Sequence, residues 1–546
     1  MKRLFLILIL LFNAAQAEEK VLIHHAKALV LTASPTDLLR GEQLQGNWTF
    51  KAQNILIPGG DKALAARLLP LYQNKSLTKE GIEKIKGEIY RYFVEHHAPL
   101  VAVQVPPQEV TSGVLQLVIT QSKLEKVSVK GNEYSSTKRL TNWIELKPGA
   151  PINQFTLIKD LTFINRNPFR HVDLVYLPGE KKETTDILLT TEERRPYRFF
   201  VGTDDAGVRT TDRFHYFTGL NVWWPLWNTE QLFNYQYTAG YRFRELQAHT
   251  GQYRILLPWM HVATFYGGAT FVKPKLSLKP SKDDGASYQA SFRYTIPLNP
   301  WNDWRHEWEW GFDFKRTNNT FTFSEILLNE GAPVNLTQFA GRYGISYNGD
   351  ASYVQIEAEL FWSPGHWISD QTNHDYSALR PDAKNEWVYA RGSFSYLQRL
   401  PKNFSLTLNL RGQLSSQNLL PSEQFGIGGY DTVRGYDERQ LNKDGAFVLN
   451  YEVRTPPLRL WTRRDNNPSA KEALQFLVFF DYGLGSNHNP IPNEPTYQYL
   501  MSTGPGLRYT WDAYFAGRFD WGFKLHHNPL FSGGDSMFHF SAIASY

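Results

Sequence analysis

The sequence predicts an α+β front part followed by a transmembrane antiparallel β-barrel, and its turns imply 16 strands. Three observations carry that prediction. The 546-residue chain is 15% aromatic, yet its mean hydropathy is −0.42, and beyond the N-terminus no apolar run approaches a spanning helix, which needs ~20 residues. Two successive units before about residue 195 repeat the order strand, helix, helix, strand, strand. Beyond that point bulky aromatic residues alternate with polar ones at period two, and no helical stretch remains to cover them.

At the N-terminus, Met1-Lys2-Arg3 is basic, Leu4–Phe12 is apolar and Ala15-Gln16-Ala17 is a small-x-small site, which predicts a signal peptide over 1–17. The mature chain is then expected from Glu18 in an exported compartment. Residues 18–46 read as a linker or short helix, with Val21–Leu31 the helix candidate.

The first unit is placed at 47–123. Its expected elements are a strand over Asn47–Leu56 and a helix over Lys62–Tyr72 capped by Asp61. A second helix over Thr78–His97 carries the apolar stripe Ile82, Ile85, Ile89 and Phe93. Strands Leu100–Val105 and Gly113–Ile119 close the unit around Pro106-Pro107-Gln108. The second unit, at 124–195, has a strand over Lys126–Lys130 and helices over Ser135–Ile144 and Pro151–Asn165. Strands His171–Tyr176 and Thr185–Thr190 flank Pro178-Gly179. Each unit is large enough for a small core and reads as a binding module.

The barrel is placed at 196–546. Trp308, Trp310, Phe312 and Phe314 share one strand face, opposite Glu307, Glu309, Asp313 and Lys315. Val354, Ile356, Ala358 and Leu360 similarly oppose Gln355, Glu357 and Glu359. Apolar residues outside and polar ones inside a closed sheet satisfy every backbone group without an open edge. Tight connections fall at Pro225–Asn228, Pro258–His261, Leu298–Asn302, Asn348–Asp350, Pro401–Asn403, Pro456–Asn466 and Thr510–Tyr514. An n-stranded barrel has n/2 − 1 short turns at the end that holds its termini, so these seven turns give 16 strands. The last strand, Phe538–Tyr546, puts Phe538, Phe540, Ala542, Ala544 and Tyr546 on the lipid face.

Several function classes lose support. A net charge of +5 is small for this length, and no basic run or stacking module points to nucleic acid. The absence of cysteine excludes disulfides and thiolate metal sites. The histidine pairs His24-His25, His96-His97 and His526-His527 are adjacent, so their side chains diverge, and no metal site or cofactor is expected. Gly534-Asp-Ser536 has no partner for a nucleophilic serine and reads as a turn. No phosphate-binding loop or nucleophile elbow occurs, and no catalytic residue is assigned. The chain is not expected to be an enzyme.

One loop, 423–446, is different. It carries Val433-Arg434-Gly435-Tyr436 between two membrane strands. If Phe447, Leu449, Tyr451 and Val453 face lipid, Asn450, Glu452 and Arg454 face the lumen. The same parity turns Asp481 inward with Phe479 and Gly483. A guanidinium folded into the lumen has Glu452 or Asp481 as a bidentate partner, with Asp520 a weaker alternative farther along the chain.

These motifs carry a family resemblance. Val433-Arg434-Gly435-Tyr436, with Asn450–Pro456 and Phe479-Phe-Asp-Tyr-Gly483, resembles the superfamily of outer-membrane barrels preceded by POTRA domains. Pro107-Gln108-Glu109 with Gly113–Leu117 looks like the end of the first POTRA domain of two-partner secretion transporters. Leu146–Gly149, Asn165-Arg-Asn-Pro168-Phe169 and Pro178-Gly179 look like the second. The resemblance implies a 16-stranded porin-like barrel of the hemolysin secretion/activation type in a bacterial outer membrane, whose inward-folded loop pairs Arg434 with Asp481 and places Glu452 at the strand-12 acidic position. It implies POTRA domains in the periplasm that capture an unfolded exoprotein and pass it out without ATP. Outer-membrane lipid and the barrel-assembly machinery are further expected partners, and a monomer is expected. An assembly factor inserting other outer-membrane proteins is the alternative. The chain departs from the family pattern at Asp204-Asp-Ala-Gly207 and Thr211-Asp212, where strand 1 is normally entered through Asp-Asn-x-Gly and Thr-Gly.

Overall fold

The computed structural model describes residues 20–208, 211–273, 285–317, 333–460, 472–490, 494–526 and 534–546. The expected signal peptide lies outside the described residues, as do His527 and the far part of the Pro456–Asn466 turn. The chain divides into two compact units. One holds residues 1–166 and 171–192; the other holds 167–170 and 193–546.

The first unit contains both expected modules, but the first begins earlier than residue 47. Ala28–Thr32 is the inner strand of a four-stranded sheet, paired in parallel with Phe50–Gln53 on one side and Val114–Gln121 on the other. The helix expected over Val21–Leu31 is therefore replaced by strands Val21–Ile23 and Ala28–Thr32. All five residues of Ala28–Thr32 are buried. A strand covered on both faces is continuously apolar, a pattern that periodicity cannot separate from a buried helix. Phe50–Gln53, expected to be the opening strand, is an edge strand instead.

Helices α1 (Asp61–Tyr72) and α2 (Lys79–Glu95) pack Leu64, Leu68, Tyr72, Ile82, Ile85, Ile89 and Phe93 against that sheet. Gly60, not Asp61, is the N-cap of α1 and makes no side-chain capping bond. Asp61 sits at the first helical position, where its charge complements the helix dipole. Thr78 caps α2 through Oγ1, which accepts the Gly81 N–H.

The second module has α3 (Thr137–Asn142), α4 (Gln154–Ile164) and a three-stranded sheet in the order Lys123–Lys130, Thr184–Glu193, Arg170–Pro178. Asp160 of α4 is fully buried among Leu157, Phe163 and Ile164; its Oδ2 accepts the Glu145 N–H at 2.9 Å and its Oδ1 has no partner. Burial pushes its carboxyl up to about 7. A raised carboxyl is held neutral in the fold, so its stabilising effect is present at low pH and is lost as pH rises through about 7. Asp160→Asn is expected to stabilise the periplasmic unit at alkaline pH, by an amount on the order of 2–4 kcal/mol. It is also expected to flatten the fall in melting temperature between acid and alkaline pH, measured on the whole detergent-solubilised chain.

The second unit is a closed antiparallel barrel of 16 strands. In chain order they are β1 (Tyr197–Asp204), β2 (His215–Leu226), β3 (Thr229–Gly240), β4 (Leu246–Leu256), β5 (Val262–Val272), β6 (Gly285–Pro297), β7 (Trp304–Thr317) and β8 (Val334–Asn348). They continue as β9 (Ser352–Pro364), β10 (Glu386–Arg399), β11 (Ser405–Ser415), β12 (Gly445–Arg454), β13 (Glu472–Ser486), β14 (Tyr497–Trp511), β15 (Phe515–Lys524) and β16 (Ser536–Ser545). Six of the seven expected turns are tight connections from an even strand to the next odd one; the seventh, expected at Pro456–Asn466, belongs to a longer connection from Arg454 to Glu472 at the same end. That end also holds the start of β1 and the close of β16, and the two longest loops, 365–385 and 416–444, leave from the opposite, extracellular end. Alternation works as expected: Trp308 and Trp310 face outward, while Arg342 reaches Glu307 at 2.8 Å and Glu357 at 3.0 Å inside. Arg293 pairs with Asp313 at 2.7 Å on the same lumenal wall. The closing seam is short, with only Phe200–Asp204 of β1 in register with Ser541–Ser545 of β16.

Candidate functional site

The connection between β11 and β12, residues 416–444, turns into the lumen. A short ladder of Phe425–Ile427 with Leu441–Lys443 folds it into a hairpin, and Val433 and Tyr436 bury themselves with Ile427, Leu441, Val448 and Leu500. The Tyr436 hydroxyl lies 2.6 Å from His526 O and 2.9 Å from Met501 O. Gly435 has φ +90°, and a Cβ there would come within 2.9 Å of the Gly522 backbone, so the loop tip lies directly on β15. Only glycine meets both conditions.

Arg434 is 2% exposed. Its Nε and Nη2 donate to Asp481 Oδ2 and Oδ1 at 2.7 and 2.8 Å, and its backbone N–H donates to Oδ2 at 3.1 Å. Nη1 donates to Glu452 Oε1 at 2.6 Å, and the guanidinium plane lies 3.6 Å from the Phe479 ring centre. Five donors in a planar fork suit this geometry; a lysine ammonium does not. Asp481 also accepts from Asn450 Nδ2 at 2.8 Å.

Asp520 is not an alternative to the other two carboxylates but a third member of the same cluster, 3.5 Å from Arg434 Nη1. It also accepts from Arg508 (2.8 and 3.0 Å) and Arg518 (2.7 Å), while Glu452 takes bonds from Arg454 at 2.6 and 2.9 Å. Three buried carboxylates are thus matched by four arginines across β12 to β15 and the loop. The family pattern selects Asp481 and strand parity gives Glu452; the structure seats Arg434 on both. Across the lumen, a cavity of about 660 Å³ is lined by uncharged residues such as Asn234, Gln236, Gln252 and Gln289, with Lys315 and Arg316 at one side.

A second knot lies toward the extracellular end. Arg380 follows helix α5 (Asn373–Leu379) in the β9–β10 loop, and its Nη2 donates to Asp444 Oδ2 at 2.8 Å while Nη1 binds Oδ1. Asp444 also accepts the backbone N–H of Leu419 at 2.9 Å and of His488 at 3.0 Å. One carboxylate therefore ties together the β9–β10, β11–β12 and β13–β14 connections.

The motif positions in the front part are architectural. Gln108 pairs its amide with the backbone of Gln116, accepting its N–H at 2.8 Å and donating to its C=O at 2.7 Å. Gln116 does the same to Leu39 at 2.8 and 3.0 Å. Asn165 clamps Val172 likewise at 2.8 and 2.9 Å. Each side-chain amide imitates a strand neighbour and satisfies backbone groups that lack one. Pro107 lies in an exposed bend and Pro168 in an exposed turn between buried Asn167 and Phe169. Asn167 and Arg170 bind the two oxygens of Glu230 on β3 at 3.1 and 2.7 Å.

Arg508, Arg518, Arg380, Asp444, Asp205 and His539 are not among the sequence-predicted site residues. Parity was a usable signal for His539, since it lies between lipid-facing Phe538 and Phe540. Asp205 lies within the Asp204-Asp-Ala-Gly207 departure from the family pattern. Arg380 and Asp444 lie in loops, where no periodicity points to a partner.

A closed barrel whose lumen is occupied by its own arginine-anchored loop, on a chain that also carries two small α+β modules, is the architecture of an outer-membrane transporter with POTRA domains. The chain belongs to the haemolysin secretion/activation protein family ShlB/FhaC/HecB, which residues 183–509 match. It is similar to the outer membrane transporter CdiB of Dickeya dadantii (strain 3937), 22% identical over 392 residues that cover 69% of this chain and 67% of that one. It is also similar to the heme/hemopexin transporter protein HuxB of Haemophilus influenzae, 21% identical over 435 residues covering 77% and 72%. Among solved structures, CdiB from Escherichia coli superposes with TM-score 0.76 at 15% identity, covering 98% of this chain and 92% of that one. CdiB from Acinetobacter baumannii gives 0.64 at 17%, covering 96% and 90%. The chain is thus a two-partner secretion transporter, with its barrel in the outer membrane and its POTRA domains in the periplasm.

Proposed function

We propose that this transporter takes an unfolded exoprotein through its own barrel, without ATP, and that loop 423–446 closes the lumen between transport events. The observation that carries this reading is the buried Arg434 cluster. The loop is held inside by ion pairs and hydrogen bonds, which can exchange partners with water or cargo without repacking the barrel wall. The POTRA domains supply exposed strand edges, Phe50–Gln53 and Val101–Gln104 in the first, onto which an extended segment adds as a further strand. The Asn, Gln and Tyr side chains of the lumenal cavity suit a moving chain, because they offer hydrogen bonds without a fixed charge, and Lys315 at its side is already paired with Glu423 of the loop. Folding of the exoprotein outside the cell supplies the direction. The transporter acts as a monomer and is itself inserted by the barrel-assembly machinery.

Deleting the gene in its host is expected to leave the set of outer-membrane proteins unchanged and to retain one exoprotein in the periplasm, as read by comparing secreted and membrane fractions by mass spectrometry. A general loss of barrel proteins from the membrane would instead identify an assembly factor.

A further inference from the structure

The tip of the lumenal loop is fastened by a second device, which uses none of the carboxylates around Arg434. The Gly435 N–H donates to His539 Nε2 at 2.9 Å, and His539 Nδ1 lies 2.9 Å from Asp205 Oδ2. Asp205 Oδ1 accepts the Phe540 N–H at 2.8 Å. Both side chains are buried, at 1% and 2% exposure. His539 belongs to β16 and Asp205 directly follows β1, so this chain of bonds joins the loop tip to the short seam where the barrel closes.

The partners determine the proton positions. A backbone N–H only donates, so Nε2 is bare; a carboxylate only accepts, so Nδ1 carries the hydrogen. The seat therefore exists only for the neutral imidazole. Protonation turns Nε2 into a donor facing the Gly435 N–H and places a second cation beside Arg434. Other charged groups facing His539 are Arg213, 3.6 Å from Asp205, and on β15 Asp520, its cross-strand partner, with Arg518. On the loop they are Arg434, beside Gly435, and Glu438, which lies in the field of Asp205. Asp520 is already bound by Arg508 and Arg518, and Asp205 compensates charge only at the Nδ1 side, so protonation acts by removing the acceptor at Nε2.

We propose that His539, oriented by Asp205, is a positioning residue that seats the loop tip in its neutral state and releases it when protonated. This rests on the reading that the loop closes the pore, and two measurements separate the claims. The chain has no cysteine, so nitroxide pairs on Asp431→Cys and Ala351→Cys report loop position in the whole protein by pulsed electron resonance. Two pH values bracket the range in which imidazole changes charge, about pH 7.5 and about pH 5. The distance distribution is expected to be single at the higher value and to gain a second population at the lower, at least about tenfold more abundant than before. His539→Gln keeps an acceptor near Nε2 and cannot titrate, so it is expected to hold one distance at both values. His539→Lys, without an acceptor, is expected to show the displaced population at both. Heat-modifiable migration confirms that each variant is a folded barrel. An acid response that persists in His539→Gln, or no response in the parent protein, overturns the proposal. Channel conductance of the same proteins tests the underlying reading: a loop that moves with no change in conductance refutes pore closure while leaving the role of His539 intact.

Discussion

Arg434→Ala is expected to lower secretion at least tenfold while the barrel still assembles. The substitution leaves Asp481 and Glu452, both buried, without their shared cation, and breaking a buried pair from one side costs about 3–5 kcal/mol. The contact over Phe479 adds about 1–2 kcal/mol to the loss. That exceeds what one lumenal hairpin can spare, so the loop leaves its seat. The wall does not follow, because β12 to β15 are held by their own backbone ladders and Arg454, Arg508 and Arg518 still neutralise Glu452 and Asp520. The expected signature is normal heat-modifiable migration, raised conductance and loss of exoprotein from the medium. Arg434→Lys keeps the charge but not the fork, and is expected to fall between the two. Secretion at the parental level by the alanine variant would remove any functional role for the arginine.

Much of this site was legible because strand parity is a strong constraint. Once Phe447 and Tyr451 face lipid, Glu452 can only face the lumen, and the same rule places Asp481, Asp520 and His539 inside. Turn spacing gave the strand number for a related reason: six of the seven connections at the periplasmic end are tight and have little freedom, although the β12–β13 connection, 455–471, is long. Parity cannot say how far an inward side chain reaches. Asp520 looked remote from Arg434 in sequence, yet β15 lies beside the loop tip because Gly435 and Gly522 meet backbone to backbone. The N-terminal misreading has a different cause. Ala28–Thr32 is fully buried and lacks any alternation, so helix and strand were equally compatible with it until its two parallel neighbours were known.

The three knots around the loop differ in what would loosen each. The Arg434 cluster is a charge balance, sensitive to anything that competes for guanidinium or carboxylate. The His539 seat depends on one proton. The Asp444 knot is a coordination of loops by a single acceptor group. On the proposed route, cargo entering from the periplasm would meet the Arg434 level before the extracellular connections, which makes release of the tip the earlier event and parting of the outer loops the later one.

That order gives Asp444→Ala a distinct expected phenotype. The substitution strips the carboxylate from Arg380, which keeps Leu419 O, and the acceptor from the buried N–H of Leu419 and the partly buried N–H of His488. The orphaned, buried Leu419 N–H costs about 1–3 kcal/mol, and the loss of the charged partner of Arg380 adds to it. The β9–β10, β11–β12 and β13–β14 connections then keep the weaker bridge through Asn418, which binds Pro381 O and the Asn489 backbone, and they separate more readily. Limited proteolysis from outside intact cells is expected to cut between residues 365 and 385, where the parent protein resists. Conductance is expected to rise less than in Arg434→Ala, since the loop tip remains on Asp481 and His539. Secretion is expected to persist, because cargo must part these connections in any case. Unchanged protease resistance would show that Asp444 does not hold the outer loops together, and lost secretion would show that their closed arrangement is itself needed for export.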